Sequence, residues 1–328
     1  MALEQRPLLE VKNLRVEFPT RRGTLAAIDD ISFDIAAGEV LGVVGESGAG
    51  KSLTGAAIIG LLEPPGRIAA GEIRLEGDRI DNLSQEALRR IRWRRIGAVF
   101  QDPLTSLNPL YTIGRQITET ILAHLPISRQ AARDRAVALL AEAGIPAPQR
   151  RLEHYPHQLS GGMRQRVVIA LALCAEPKLI VADEPTTALD VSTQAQIIGL
   201  LKRLSREHGA AVMLITHDMG VIAETAHRVA VMYAGRIAEI GPVRAVLQAP
   251  SHPYTAGLMQ SIPKVGATGR SLAQIDGTMP RLNAIPPGCA FHPRCPRRFE
   301  RCDRERPDLL PAQDKLAACW LYPDERRP

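Results

Sequence analysis

One octapeptide constrains this chain more than any other stretch. Gly45-Glu46-Ser47-Gly48-Ala49-Gly50-Lys51-Ser52 reads G-x-x-x-x-G-K-S. It follows the apolar, β-branched run 40–44, which reads as a buried strand, and precedes 51–62, a proline-free run that reads as a helix. In that context the pattern wraps a polyphosphate. The glycines let backbone N–H groups turn inward, and the helix adds the positive end of its dipole. Lys51 then reaches the β- and γ-phosphates, and the Ser52 hydroxyl binds Mg²⁺. The alternative is a glycine-rich strand-to-helix turn with no ligand.

At 328 residues the chain has room for two domains, or for one domain with an extension. Hydrophobic residues make up 45% and aromatics only 4%, which suits an α/β core filled by Ala, Leu, Ile and Val. The net charge of +6 is modest and selects neither nucleic acid, anionic lipid nor nucleotide. The first residues have no apolar core after a basic start, so no signal peptide is expected. The most apolar helix, 52–62, would be roughly 17 Å long against a hydrocarbon core of ~30 Å. A cytosolic chain, or one attached to a membrane through partners, is expected.

Residues 8–18 and 28–35 alternate apolar and polar positions and read as strands of an antiparallel edge, with a turn at 19–23. Phe18, at a strand end, stacks on an adenine ring or is ordinary core. Strands are expected at 72–76 and 96–100, with a basic helix at 88–95 between them. Gln101 follows a strand directly, at the edge where open α/β sheets bind ligands; its other reading is a surface loop amide. From 112 to 143 the period turns helical, with breaks at Pro126 and 144–148, so a helical insertion is predicted.

The insertion ends at Leu159-Ser160-Gly161-Gly162-Met163-Arg164-Gln165. Ser160 reads as the N-cap of a helix to 173, a second helix start suited to an anion. Strand 178–182 runs into Asp183 and Glu184. A buried strand does not end in two carboxylates cheaply. Asp183 suits Mg²⁺ as the partner of Ser52, and Glu184 suits the orientation and deprotonation of an attacking water. Asp190 caps a helix at 191–207, and strand 211–216 ends at His217, again on the ligand edge. A hairpin at 229–233 and 236–240 and helices at 242–248 and 254–261 follow. Composition then shifts to Pro, Gly and Arg from Pro263, so domains are placed at 1–250 and 251–328.

Taken in order, the phosphate loop, Gln101, the Ser160 segment, Asp183-Glu184, Ala188-Leu189-Asp190 and His217 resemble an ATP-binding-cassette (ABC) ATPase over about residues 8–250. The resemblance implies an α/β P-loop NTPase fold: an ABC core with an antiparallel β subdomain, a helical signature subdomain at about 105–175, and here a Cys-rich C-terminal extension. It implies that Phe18 stacks on adenine and that Gln101 senses Mg²⁺ and the γ-phosphate. Ser160, Gly161 and Gly162 would bind the γ-phosphate of ATP held by an opposing subunit. Asp183 would be the Walker B acid, Glu184 the catalytic base, Asp190 the D-loop residue and His217 the switch histidine.

More finely, Phe100 to Pro109, Ser251 to Thr255 and Ile285 to Cys295 resemble the ATPases of oligopeptide, dipeptide and nickel importers, and Thr278 to Cys295 looks more like the D-type than the F-type subunit. That implies an F-type ATPase as heterodimer partner, two transmembrane permeases and an extracytoplasmic substrate-binding protein, with the chain peripheral on the cytoplasmic face of the inner membrane. Dipeptides or oligopeptides are the expected cargo, with nickel, glutathione or sugar derivatives as alternatives. The competing class is a soluble ABC ATPase acting on DNA or ribosomes; nucleic acid is not expected.

Four of the five cysteines, Cys289, Cys295, Cys302 and Cys319, crowd the C-terminal region. A cytosolic chain disfavours disulfides. Their spacing lacks the C-x2–4-C knuckle of structural zinc, which leaves an iron–sulfur cluster, Zn²⁺ or unmetallated thiols. The family resemblance favours [4Fe–4S]. Cys174, alone in an apolar helix, reads as core.

Overall fold

The computed structural model describes residues 6–187, 189–261 and 274–322; Ala188 and Pro263, both used in the sequence reading, lie outside them. The chain begins with β1 (Leu9–Thr20), β2 (Gly23–Ile35), β3 (Val40–Val44), α1 (Lys51–Ile58), β4 (Arg67–Leu75), β5 (Asp78–Arg79), α2 (Gln85–Ile91) and β6 (Ile96–Val99). Helices α3 (Pro103–Ser106), α4 (Ile113–His124), α5 (Arg129–Glu142), α6 (Pro148–Arg151) and α7 (Gly161–Leu173) follow. Then come β7 (Leu179–Asp183), α8 (Val191–His208), β8 (Ala211–Ile215), α9 (Met219–Thr225), β9 (Arg228–Tyr233) and β10 (Arg236–Pro242). The chain closes with α10 (Val243–Gln248), α11 (Pro253–Gln260), α12 (Glu300–Arg304), β11 (Leu310–Ala312) and β12 (Lys315–Ala317).

Two units share these elements. The first comprises Met1–Leu9, Asp34–Val40 and Arg74–Ile215. Here β7 lies parallel between β6 and β8, with Ile96 opposite Leu179 and Leu179 opposite Ala211. Up to Asp183 at the end of β7, all three strands are free of charged residues and almost fully buried, as sheets covered on both faces require. The connection from β6 to β7 is the predicted helical insertion. α4 carries Ile113, Ile117 and Ile121 on one buried face, which packs on α5 and α7.

The second unit comprises Glu10–Phe33, Leu41–Ile73 and Thr216–Pro328. β3 pairs parallel with β9, β9 antiparallel with β10, and β10 antiparallel with β12. β3 is buried at all five positions, and Gly42 lets α9 approach: a Cβ there would lie 2.6 Å from Ile222 Cδ1. The C-terminal region is thus sewn into this sheet. Glu239 on β10 and Lys315 on β12 are both fully buried, 3.9 Å apart. The Glu239 carboxylate also accepts from the amides of Ser251 and His252, at 2.8 and 2.9 Å. Those bonds offset part of the cost of burying the charge.

Some boundaries differ from the sequence reading. α1 stops at Ile58 because Gly60 takes φ +69 and the Leu61 amide reaches back to the Ala56 carbonyl at 2.8 Å. α2 starts at Gln85, where Ser84 caps the Ala87 amide. β5, α3, α6, α9, α12, β11 and β12 are additions.

Candidate nucleotide-binding and catalytic residues

In the second unit, β3 ends at Val44 and the chain turns through Gly45, φ +149. A Cβ at this position would run into the Met232 carbonyl oxygen, so only glycine fits. Gly48 and Gly50 also take positive φ, and Gly50 forms the N-cap of α1 without any capping side chain. The helix start is therefore built from backbone, as an anion-binding end is. Lys51, 6% exposed, donates from Nζ to the carbonyls of Gly45 (2.9 Å) and Glu46 (3.2 Å). Ser52, Ser47 and Gly48 are exposed, while Ala49 is buried. Glu46 is half-buried, and its carboxylate bonds Arg294.

Phe18, half-buried at the end of β1, lies against Gly66, where a Cβ would sit 2.8 Å from the ring. His217 is exposed in the loop between β8 and α9. The neighbouring Thr216 amide donates to the Val43 carbonyl at 3.1 Å, which sets this loop beside the strand that carries the phosphate loop.

In the first unit, β7 delivers Asp183 and Glu184 at its end, both half-buried. Glu184 has φ +45, in the left-handed region that few non-glycine residues take, and its amide donates to the Ile215 carbonyl at 2.8 Å. Its Oε2 accepts from Thr187 Oγ1 at 2.8 Å and Gln101 Nε2 at 3.3 Å. Gln101 and Glu184, which sequence reading singled out separately, are thus brought together. Thr187 was missed; its only signal is a hydroxyl three residues after the acid.

Ser160 caps α7, accepting from the Met163 amide at 3.3 Å. Asp190 caps α8, and its carboxylate accepts from the Thr193 amide (2.9 Å) and hydroxyl (2.8 Å). The Thr193 amide, then its hydroxyl, hold the Asp190 carboxyl below the usual carboxylate range. These two helix starts touch: a Cβ at Gly162 would lie 2.8 Å from Thr193 Cγ2, and one at Gly161 would lie 3.8 Å from Leu189 Cδ2. Glycine at 162 is therefore a packing requirement as well as a means of baring backbone amides.

Cys289, Cys295, Cys302 and Cys319 line one small cavity with His252, Phe291, His292 and Trp320. Burial, ahead of any other influence, pushes the Cys289 thiol up to about 11, and the three other cysteines push the same way. Among the described residues no three His, Cys, Asp or Glu side chains are grouped so as to hold a single metal ion. Cys174 is fully buried at the end of α7, as core.

The ABC transporter family model matches residues 28–187. A dipeptide transport ATP-binding protein, DppD, of Bacillus subtilis is 48% identical over 321 residues, covering 97% of this chain and 96% of the relative. This chain belongs to the ABC transporter ATP-binding proteins. The model for the oligopeptide/dipeptide transporter C-terminal region matches residues 238–302 of this ABC protein. An oligopeptide transport ATP-binding protein, OppD, of Salmonella typhimurium is 46% identical over 318 residues, 97% of this chain and 95% of that one. A dimeric ATP-binding cassette solved in a post-hydrolysis state bound to ADP and Pi superposes with a TM-score of 0.65 at 32% identity, covering 72% of this chain and 99% of that structure. The ABC chain is therefore an ATPase subunit that binds and hydrolyses ATP for transport. Among the described residues no helix is long and apolar enough to cross a membrane.

Proposed function

We propose that this chain is the D-type ATPase of a dipeptide or oligopeptide importer. It pairs with an F-type ATPase, drives two permeases fed by an extracytoplasmic binding protein, and sits on the cytoplasmic face of the membrane. The observation that carries this reading is the full-length likeness to proteins named for dipeptide and oligopeptide transport. On this reading residues 1–250 are the ATPase domain, with a helical part at about 105–175, and 251–328 are the transporter-specific extension.

Each residue then has a task. Phe18 stacks on adenine. The backbone of residues 45–52 wraps the phosphates, and Lys51 exchanges its carbonyl partners for phosphate oxygens. Ser52, Asp183 and Gln101 would hold Mg²⁺, which supplies charge neutralisation on the phosphates when bound. Glu184, oriented by Thr187 and Gln101, takes the proton of the attacking water. His217 contacts the γ-phosphate. Ser160, Gly161 and Gly162 serve the nucleotide held by the partner ATPase, with Asp190 alongside. ATP thereby contributes contacts between ATPases, and its hydrolysis removes them, so the γ-phosphate acts as a switch of association.

The four C-terminal cysteines would hold a [4Fe–4S] cluster. Four cysteines line one cavity, and a donor set of thiolates alone is the ligation that such a cluster takes. The bound cluster would act as a covalent staple for the C-terminal region. Co-expression with the permeases, followed by ATPase assay in lipid with and without peptide-loaded binding protein, tests the transport reading. Peptide-stimulated turnover is expected, and a transporter indifferent to every peptide would defeat the cargo assignment. Iron and sulfide analysis of anaerobically purified protein tests the cluster; stoichiometric zinc without iron would reverse it.

A further inference from the structure

Glu46, the second residue of the phosphate loop, is tied down from three sides. Its carbonyl accepts from Lys51 Nζ at 3.2 Å. Its amide donates to the hydroxyl of Tyr254, a fully buried side chain on α11, at 2.9 Å. Its carboxylate receives Arg294 Nη1, 3.1 Å from each oxygen. The Arg294 side chain is 7% exposed. Its other nitrogens are spent on carbonyls of the same C-terminal region: Nε on Asp276 at 2.8 Å, Nη2 on Ile275 at 3.3 Å and Gly277 at 3.4 Å. Arg294 and Lys51 thus meet on one residue, one from the C-terminal region and one from the nucleotide side. The same region reaches the loop again at Gly48, where a Cβ would lie 4.0 Å from Met279 Cγ.

We propose that Arg294 is a positioning residue for nucleotide binding: by clamping Glu46 it fixes the entry of the phosphate loop and the resting place of Lys51, so the C-terminal region sets the affinity for ATP. The inference rests on the reading that this loop binds ATP. The geometry favours it over a purely structural ion pair. A guanidinium is planar and donates in several directions, so it joins three carbonyls of the 275–277 segment to one carboxylate, which a lysine could not do. The clamp acts on the loop before chemistry and leaves the Glu184 carboxylate untouched. Its loss therefore falls on ATP affinity and KM rather than on kcat.

Full-length protein titrated with a fluorescent ATP analogue provides the test, with turnover measured in the assembled transporter. Arg294→Met is expected to weaken binding about tenfold, equal to about 1.4 kcal/mol, with kcat within about twofold of wild type. Glu46→Gln should weaken it less, and the double variant should be no worse than Arg294→Met alone, since both remove one contact. Arg294→Lys should recover only part of the loss. A folding defect would instead lower the active fraction and leave the Kd of the remaining molecules unchanged; Glu46→Gln, which removes no volume, guards against that outcome. Wild-type affinity in both single variants, or strictly additive losses in the double variant, would overturn the proposal. Failure of the wild type itself to bind ATP would instead overturn the functional reading.

Discussion

Replacing Glu184 by Gln is the sharpest test of the catalytic assignment, because the local geometry is built to tolerate it. Thr187 Oγ1 and Gln101 Nε2 both donate to the same carboxylate oxygen, at 2.8 and 3.3 Å. An amide can present its single oxygen to both donors, so the side chain keeps its place and its volume. The backbone bond from the Glu184 amide to Ile215 and the positive φ are properties of the main chain and survive. What disappears is the capacity to accept a proton from water. General-base catalysis is worth about 10²–10⁴-fold, or roughly 2.7–5.4 kcal/mol of barrier. Glu184→Gln should therefore bind ATP as wild type does, accumulate the ATP-bound paired state and release phosphate at least ~10²-fold more slowly. Single-turnover phosphate release, alongside analogue binding, separates the two effects. A variant that binds normally and retains more than about a tenth of wild-type turnover would remove Glu184 as the base.

Gly45→Ala places a methyl group against the Met232 carbonyl at φ +149; ATP binding should be lost together with about 1–3 kcal/mol of stability, read by analogue titration and thermal unfolding. Lys315→Met leaves the buried Glu239 charge without its cation and should cost about 3 kcal/mol in urea unfolding, part of it restored by adding Glu239→Gln. His252, 3% exposed, is pushed by burial from 6.5 down to about 4. The unfolded chain therefore binds its proton first, and the stability held above about pH 6.5 is lost as pH falls through 6.5 towards 4. That displacement corresponds to about 3 kcal/mol, and the acid limb of a pH–unfolding series should flatten in His252→Asn.

Legibility in the sequence followed the range of the interaction. β3 is legible at its true bounds because four apolar residues around Gly42 run into a glycine turn, and α7 and α8 are legible at their true starts because Ser160 and Asp190 cap them locally. α1 was read too long because its stop is a left-handed Gly60 hidden within an apolar run, where Ile59, Leu61 and Leu62 look like more helix. α9 escaped because its seven residues show less than two full turns of period. β11 and β12 escaped because three residues carry no alternation, and β12 exists through its pairing with β10, more than 70 positions away. Among site residues, the motif positions were visible as spacing, whereas the Gln101–Glu184 bond and the convergence of the four cysteines needed the fold.

The same distinction applies to the C-terminal region, whose own sequence has few large apolar residues and builds little core by itself. In the fold it borrows partners. Phe291 packs edge-on to Tyr233 at 5.2 Å and tilted to Tyr254 at 5.4 Å, and the two tyrosines pack edge-on at 4.7 Å. Such pairs are worth about 0.5–1.5 kcal/mol each beyond their burial, a concentrated use of aromatics in a chain that has only 4% of them. Tyr254 donates no packing alone: its hydroxyl holds the Glu46 amide, while Tyr233 lies beside Arg294. The cluster that anchors the cysteine region is therefore the cluster that braces the phosphate loop. A perturbation that loosens Phe291 should reach ATP affinity through Tyr254 and Arg294, even though Phe291 itself makes no contact with Glu46 through a hydrogen bond or charge.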